Sequence, residues 1–237
     1  MVKNKVRSIK RRLARTPKKG VNVNKGSIKR NPALIKFLKE RRVISDYACY
    51  SSTLGSLTSS LGLNVANEIR VRGCRNVLDL GCGKATALEE LHAGIPQTKF
   101  HGLTFVEEPE FAKLRRKGID IKIGDWKNIK TIFGENSMDF IYLNYGVEHS
   151  LNVKRDLIQI SRVLRPGGRV LFNVNAAGHH LLRELNPALK TSKLRLVAEL
   201  PAIYTAWMQK VGKDGFRMGA KKRRSAPGIA FYLEKTK

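Results

Sequence analysis

The spacing of apolar positions changes character along the chain. From residue 76 onward, short apolar runs alternate with stretches of helical spacing. Residues 76–80, 99–105, 119–124, 138–144 and 168–174 read as strands. Between them, residues 86–93, 109–117, 129–133 and 153–164 read as helices in whole or part. Strands and helices alternating at this interval predict right-handed crossovers and a largely parallel sheet. After residue 175 the pattern weakens, with further strands expected at 194–200 and 228–234. Ahead of the alternating region, Leu54, Leu57, Leu61, Val65 and Ile69 recur every three or four residues, which predicts a helix over 54–72. Asn31-Pro32 opens another helical stretch, with Leu34, Phe37 and Leu38 as its apolar stripe. Residues 1–30 show no sustained apolar period. The chain thus divides into a disordered arm (1–30), a helical extension (31–73) and an α/β domain (74–237).

Charge sharpens this division. The 237 residues carry 46 Lys and Arg against 19 Asp and Glu, a formal net charge of +27. Residues 1–30 hold twelve of those basic residues and no acidic one, so the remainder is basic as well. Residues 210–224 add seven Lys and Arg against one Asp, with Phe216 among them and Trp207 just upstream. Basic groups beside aromatics suit phosphate neutralisation and base stacking on single-stranded nucleic acid. RNA is therefore the expected partner, or another polyanion, through the arm and residues 210–224. A solvated charge run or a short nuclear-targeting stretch would look the same.

Other classes drop out. Cys49, Cys74 and Cys82 are too few and too scattered for a disulfide framework or a zinc site. No apolar run reaches the roughly 18 residues that span a bilayer. A cytoplasmic location is expected. The Arg-rich, acid-free start also suits a mitochondrial presequence, and the basic clusters suit a nuclear address.

Candidate chemistry concentrates where Val77-Leu-Asp-Leu-Gly-Cys-Gly-Lys-Ala-Thr86 leads a strand through a glycine turn into a helix. Gly81 and Gly83 let a ligand approach the backbone, and a helix N-terminus favours a carboxylate. This segment resembles the first motif of class I S-adenosylmethionine-dependent methyltransferases. The resemblance continues in order through His101-Gly-Leu-Thr-Phe105, Ile123-Gly-Asp-Trp126, Asp139-Phe-Ile-Tyr-Leu-Asn144 and Ile160-Ser-Arg-Val-Leu-Arg-Pro-Gly-Gly-Arg-Val-Leu-Phe172, covering residues 74–175. It implies a Rossmann-like, seven-stranded, mostly parallel sheet with helices on both faces, and S-adenosylmethionine as cofactor.

The resemblance also implies a cofactor set of Asp79, Gly81, Gly83, Thr104, Asp125, Trp126 and Asn144. Gly81 and Gly83 would admit the methionine part, and Asp79 would accept from its amino group or orient the turn. Asp125 would accept from the adenine amino group, while Trp126 would cover the ring or cap the core. Two positions depart from the family pattern. Thr104 stands where an acidic residue usually meets the ribose, as in cyclopropane-fatty-acid-synthase-like and sterol-methylating relatives, with Glu107 or Glu108 as alternatives. Ala85 replaces the third glycine of the turn. Cys82 reads as a small buried filler.

The acceptor is less determined. The segment Asn144-Tyr-Gly-Val-Glu-His149 lacks the Asn/Asp-Pro-Pro-aromatic motif of amino-group methylation, and no Pro-Cys or Thr-Cys dipeptide offers a nucleophile. His149, with Glu148 beside it, is the local candidate for a base. The readings are an enzyme acting on RNA or an RNA-associated protein, a small-molecule or lipid methyltransferase, and a non-catalytic subunit of a ribonucleoprotein.

Overall fold

A computed structural model describes residues 53–105, 107–144, 152–174, 181–208, 211–212, 215–216 and 222–236. The arm and the stretch opening at Asn31 lie outside the described residues. Nine strands are described: β1 (Asn76–Leu80), β2 (Lys99–Thr104), β3 (Asp120–Ile123), β4 (Met138–Leu143), β5 (Leu164–Val174), β6 (Leu194–Met208), β7 (Val211–Gly212), β8 (Gly215–Phe216) and β9 (Lys222–Lys235). Seven form one sheet in the order β3-β2-β1-β4-β5-β9-β6, and β7 pairs with β8 apart from it. The first five are joined by parallel ladders. Strand β9 runs antiparallel to both β5 and β6. The strand order reverses between β1 and β4, and ligands of open α/β sheets bind at the carboxyl ends around such a switch point.

Side-chain alternation along each strand builds two cores. Val77, Phe100, Phe140, Tyr142 and Leu171 face one layer, together with Leu57 and Leu61 of helix α1 (Leu54–Leu61) and Val65 and Ile69 of α2 (Val65–Val71). Leu88 and Leu91 of α3 (Thr86–Gly94) and Phe111 and Leu114 of α4 (Phe111–Arg116) complete that side. Leu78, Leu80, Leu103, Ile141 and Phe172 face the other layer. There they meet Ile129 of α5 (Ile129–Phe133), Leu157 and Ile160 of α6 (Val153–Val163), and Leu185 and Ala188 of α7 (Leu181–Ser192). Helices cover both faces, as the resemblance implies.

Three departures from the sequence reading have local causes. The single helix expected over 54–72 is two. Gly62 takes φ +66° at the end of α1, and a Cβ there would collide with the Pro201 carbonyl of β6. Asn64 then caps α2 by accepting from the Asn67 amide at 3.0 Å. Strand β5 begins at Leu164 rather than 168, because its ladder with β4 shifts register between Met138 and Phe140 and absorbs the Pro-Gly-Gly turn. Helix α7 was not expected, since Pro187 inside it weakens the helical signal.

The β6–β9 pair is longer than the strands beside it. Strand β5 meets β9 last at Val174 and Ile229, whereas the β6–β9 ladder continues from Pro201–Ile229 to Met208–Lys222. Those additional pairs extend the ribbon roughly 23 Å beyond the sheet at 3.3 Å per residue. They do so at the carboxyl edge of the parallel strands. No helix among the described residues is long and apolar enough to cross a membrane.

Candidate active site

The glycine turn is fastened to its neighbour strand. The Gly81 and Cys82 amides both donate to the Leu103 carbonyl of β2, at 2.8 and 3.1 Å, and the Ala85 amide donates to the Cys82 carbonyl at 2.8 Å. Gly81 and Gly83 take φ values of +97° and +53°, in the left-handed region where a side chain is strained. Ala85 also sits there, at φ +58°, and leads into α3 without a side-chain cap. Beneath the turn, Cys82 is 6% exposed and fills the space left by Gly102, where a Cβ would stand 2.8 Å from its sulfur. Burial pushes its thiol well above the ordinary range. The sequence reading of Cys82 as filler matches this environment.

Asp79 is buried one turn of the pleat before Gly81. Loss of solvent raises its carboxyl from 3.8 to about 7. Tyr142, its partner across the β1–β4 ladder, lies near enough to draw that value down somewhat. Even so, the Tyr142 hydroxyl completes no hydrogen bond of ordinary geometry among the described residues. A poorly solvated acid beside the turn is poised to meet a positive group.

Thr104, 2% exposed, ends β2 at the same edge. Both carboxylate oxygens of Glu107 accept from Arg115, at 2.6 and 2.8 Å, so this acid is already engaged. Asp125 follows β3 and accepts from the Lys127 amide at 3.1 Å, capping the short 3₁₀ turn Trp126–Asn128. Trp126 is 6% exposed and packs among Leu78, Leu80 and Leu103. A Cβ on Gly81 would lie 3.6 Å from its ring. The indole is therefore buried against the glycine turn.

Asn144 ends β4 within a polar cluster that sequence reasoning did not find. Its Oδ1 accepts from the Ser60 hydroxyl of α1 at 2.7 Å and from the Asn173 amide of β5 at 3.1 Å. Asn173 also donates to the Ser60 carbonyl at 3.0 Å. One signal pointed there: Asn173 interrupts the apolar run from Val170 to Val174, and a buried amide needs partners. His149, Tyr145 and Glu148 lie outside the described residues, as does Glu107's neighbour Val106. Of residues 210–224, strand backbone alone is described, in β7, β8 and the start of β9.

Gly81, Thr104, Asp125 and Asn144 thus converge at the carboxyl ends of β1 to β4. The groups present fit S-adenosylmethionine, whose sulfonium supplies an already activated methyl. Backbone without Cβ atoms stands at the switch point, a desolvated carboxyl can offset a cation, and a hydroxyl and a second carboxylate follow along the edge. Residues 78–172 match the family model of the methyltransferase domain. The same fold occurs in a 1,6-didemethyltoxoflavin N1-methyltransferase from Burkholderia thailandensis, solved with 1,6-didemethyltoxoflavin and S-adenosylhomocysteine. That likeness has 17% identity and a TM-score of 0.51 over 76% of this chain and 80% of the other. It also occurs in an S-adenosylmethionine-dependent methyltransferase from Aquifex aeolicus, at 16% identity and a TM-score of 0.50 over 73% and 90%. Among curated proteins no relative matches the chain in sequence. The match over residues 78–172 and the fold around it support an S-adenosylmethionine-dependent methyltransferase.

Proposed function

We propose that the enzyme methylates RNA or an RNA-associated protein. The observation that carries this reading is the β6–β9 ribbon, which extends past the carboxyl edge beside the candidate site and leads into the basic stretch 210–224. A positive ribbon there suits a phosphate backbone crossing the acceptor side of the pocket. The charge of the arm adds to the same attraction.

In this reading Asp79, Gly81 and Gly83 hold the methionine end of the cofactor, and Thr104 hydrogen-bonds the ribose. Asp125, whose carboxylate also faces the Lys127 ammonium at 3.8 Å, accepts from the adenine amino group, while Trp126 fixes the turn. Asn144, held by Ser60 and Asn173, borders the acceptor. Methyl transfer from a sulfonium is an in-line displacement, so alignment supplies much of the rate. His149 takes the proton where the acceptor carries one. The test is incubation with labelled S-adenosylmethionine and total RNA, protein and lipid extracts. Label in RNA or in RNA-bound protein supports the reading, and label in lipid or small molecules alone overturns it. A small-molecule acceptor is the second reading, favoured by Thr104 in place of the usual acid.

A further inference from the structure

The edge of the sheet opposite the methyltransferase site carries a cavity of about 390 Å³. It is framed by the end of α2, the turn into β1 and the turn into β2. Arg70, Arg75 and Lys99 line it, together with the polar Asn76, Gln97 and Thr98. Asn76 and Lys99 are paired as the first residues of their strands, so the cavity lies a strand length, roughly 17–20 Å, from the glycine turn.

Its frame is rigid. The Lys99 amide donates to the Arg75 carbonyl at 2.8 Å, the Thr98 hydroxyl to the Cys74 carbonyl at 2.7 Å, and Arg70 to the Gly94 carbonyl at 3.1 Å. Three cations nonetheless share this space without an acid in its lining. The nearest carboxylates are committed elsewhere. Asp139 accepts from the Arg75 and Asn76 amides and pairs with Arg165 at 2.6 Å. Glu68 accepts from the Tyr232 hydroxyl and faces Arg72 at 3.7 Å. Among the described residues, the side chains of Arg75 and Lys99 make no hydrogen bond and no ion pair. Like charges gathered around a concave, acid-free site focus a positive field, and an anion relieves their repulsion.

We propose that this cavity is a phosphate-binding site, separate from the methyltransferase site. Arg75 and Lys99 neutralise the phosphate, Arg70 borders it, and the Asn76 and Gln97 amides hydrogen-bond the sugar or base attached. The phosphate comes either from an RNA strand or from a free nucleotide. The volume lies within the range of ordinary ligand pockets and accommodates a nucleotide unit. The site does not depend on RNA being the methyl acceptor.

The test uses the full chain, with fluorescence anisotropy of a labelled single-stranded oligoribonucleotide across a salt series and calorimetry with adenosine monophosphate. Arg75→Gln/Lys99→Gln is compared with Arg116→Gln/Lys154→Gln, which removes equal charge from exposed helical positions. S-adenosylmethionine binding in each protein confirms an intact fold. For an RNA source, the cavity variant binds the strand about five- to tenfold more weakly at 50 mM salt, with a salt slope shallower by about 0.7 per lost phosphate contact. The control variant then changes less than about twofold. For a free-nucleotide source, adenosine monophosphate binds the parent and is lost in the cavity variant, while RNA affinity follows net charge alone. Equal RNA affinity in the two variants, with no nucleotide binding to the parent, overturns the proposal. Absence of methyl incorporation into RNA bears on the acceptor and leaves this result untouched.

Discussion

The Ser60 hydroxyl donates to the Asn144 side-chain oxygen across 2.7 Å, tying helix α1 to the end of strand β4. The segment before the α/β alternation therefore takes part in the active-site edge. Ser60→Ala should cost about 1 kcal/mol of stability, since Asn144 keeps Asn173 as a donor. S-adenosylmethionine affinity should stay within about twofold, roughly 0.4 kcal/mol. Chemical denaturation and calorimetry check the two halves of this expectation.

Asp79 gives a pH signature. Its carboxyl titrates near 7 in the folded protein against 3.8 ordinarily, so the native state retains a proton that the unfolded chain has lost. Its contribution to stability therefore falls as pH rises between those values and is constant above them. Asp79→Asn removes the titration. The parent should lose more melting temperature than the variant between about pH 5.5 and 8, as thermal denaturation at both ends will read. If Asp79 meets the cofactor's ammonium, parent affinity should also weaken below about pH 7, with the variant weak and flat throughout.

Asp125→Ala should weaken S-adenosylmethionine binding by about 1–3 kcal/mol through loss of a charge-assisted hydrogen bond. Gly83→Val should abolish it, because φ +53° resists a branched side chain and the branch fills the backbone approach. Parent-like titrations for both would place the cofactor elsewhere.

Thr104 and Glu107 compete for the ribose. With Glu107 held by both amino groups of Arg115, Thr104→Ala is expected to weaken cofactor binding by about 1 kcal/mol and Glu107→Gln to leave it nearly unchanged. The reverse ranking, or a bound structure with a glutamate on both ribose hydroxyls, would refute the assignment.

Deleting residues 1–30 should weaken RNA binding and flatten its salt dependence by about 0.7 per lost phosphate contact. Cofactor affinity should not change. Unchanged RNA affinity and slope would move the small-molecule acceptor ahead.

The legible parts of the sequence were those where one physical rule dominates. Residues 140–143 are apolar and buried on both faces, as are 77–80 apart from the acidic Asp79, so strand position followed directly from composition. Gly81 and Gly83 announced a turn that needs left-handed backbone, and the structure has it. Less legible was whatever depends on a distant partner. Gly62 looked like a weak helical residue until Pro201, far along the chain, supplied the reason for its missing Cβ. Ser60 looked like one of several helical serines, and only the meeting of α1, β4 and β5 makes it a donor to Asn144. Trp126 offered two readings from sequence, and its burial in one cluster with Leu78 and Leu103 depends on strands that its own neighbours in the chain do not reveal.

The pairing of β9 with β5 has a consequence for how the molecule is made. Residues 229–234 close the flank of β5, and β6 reaches the sheet only through β9. A chain emerging from the ribosome can assemble the five parallel strands while the sheet still ends in an open, apolar flank. Completion waits for residues 229–234, well after the parallel strands. Until then the growing domain presents unpaired β5 backbone to its surroundings, the condition in which nascent chains aggregate or engage chaperones. Premature termination near residue 220 would therefore yield a product with most of its sheet in place and its sticky edge uncovered.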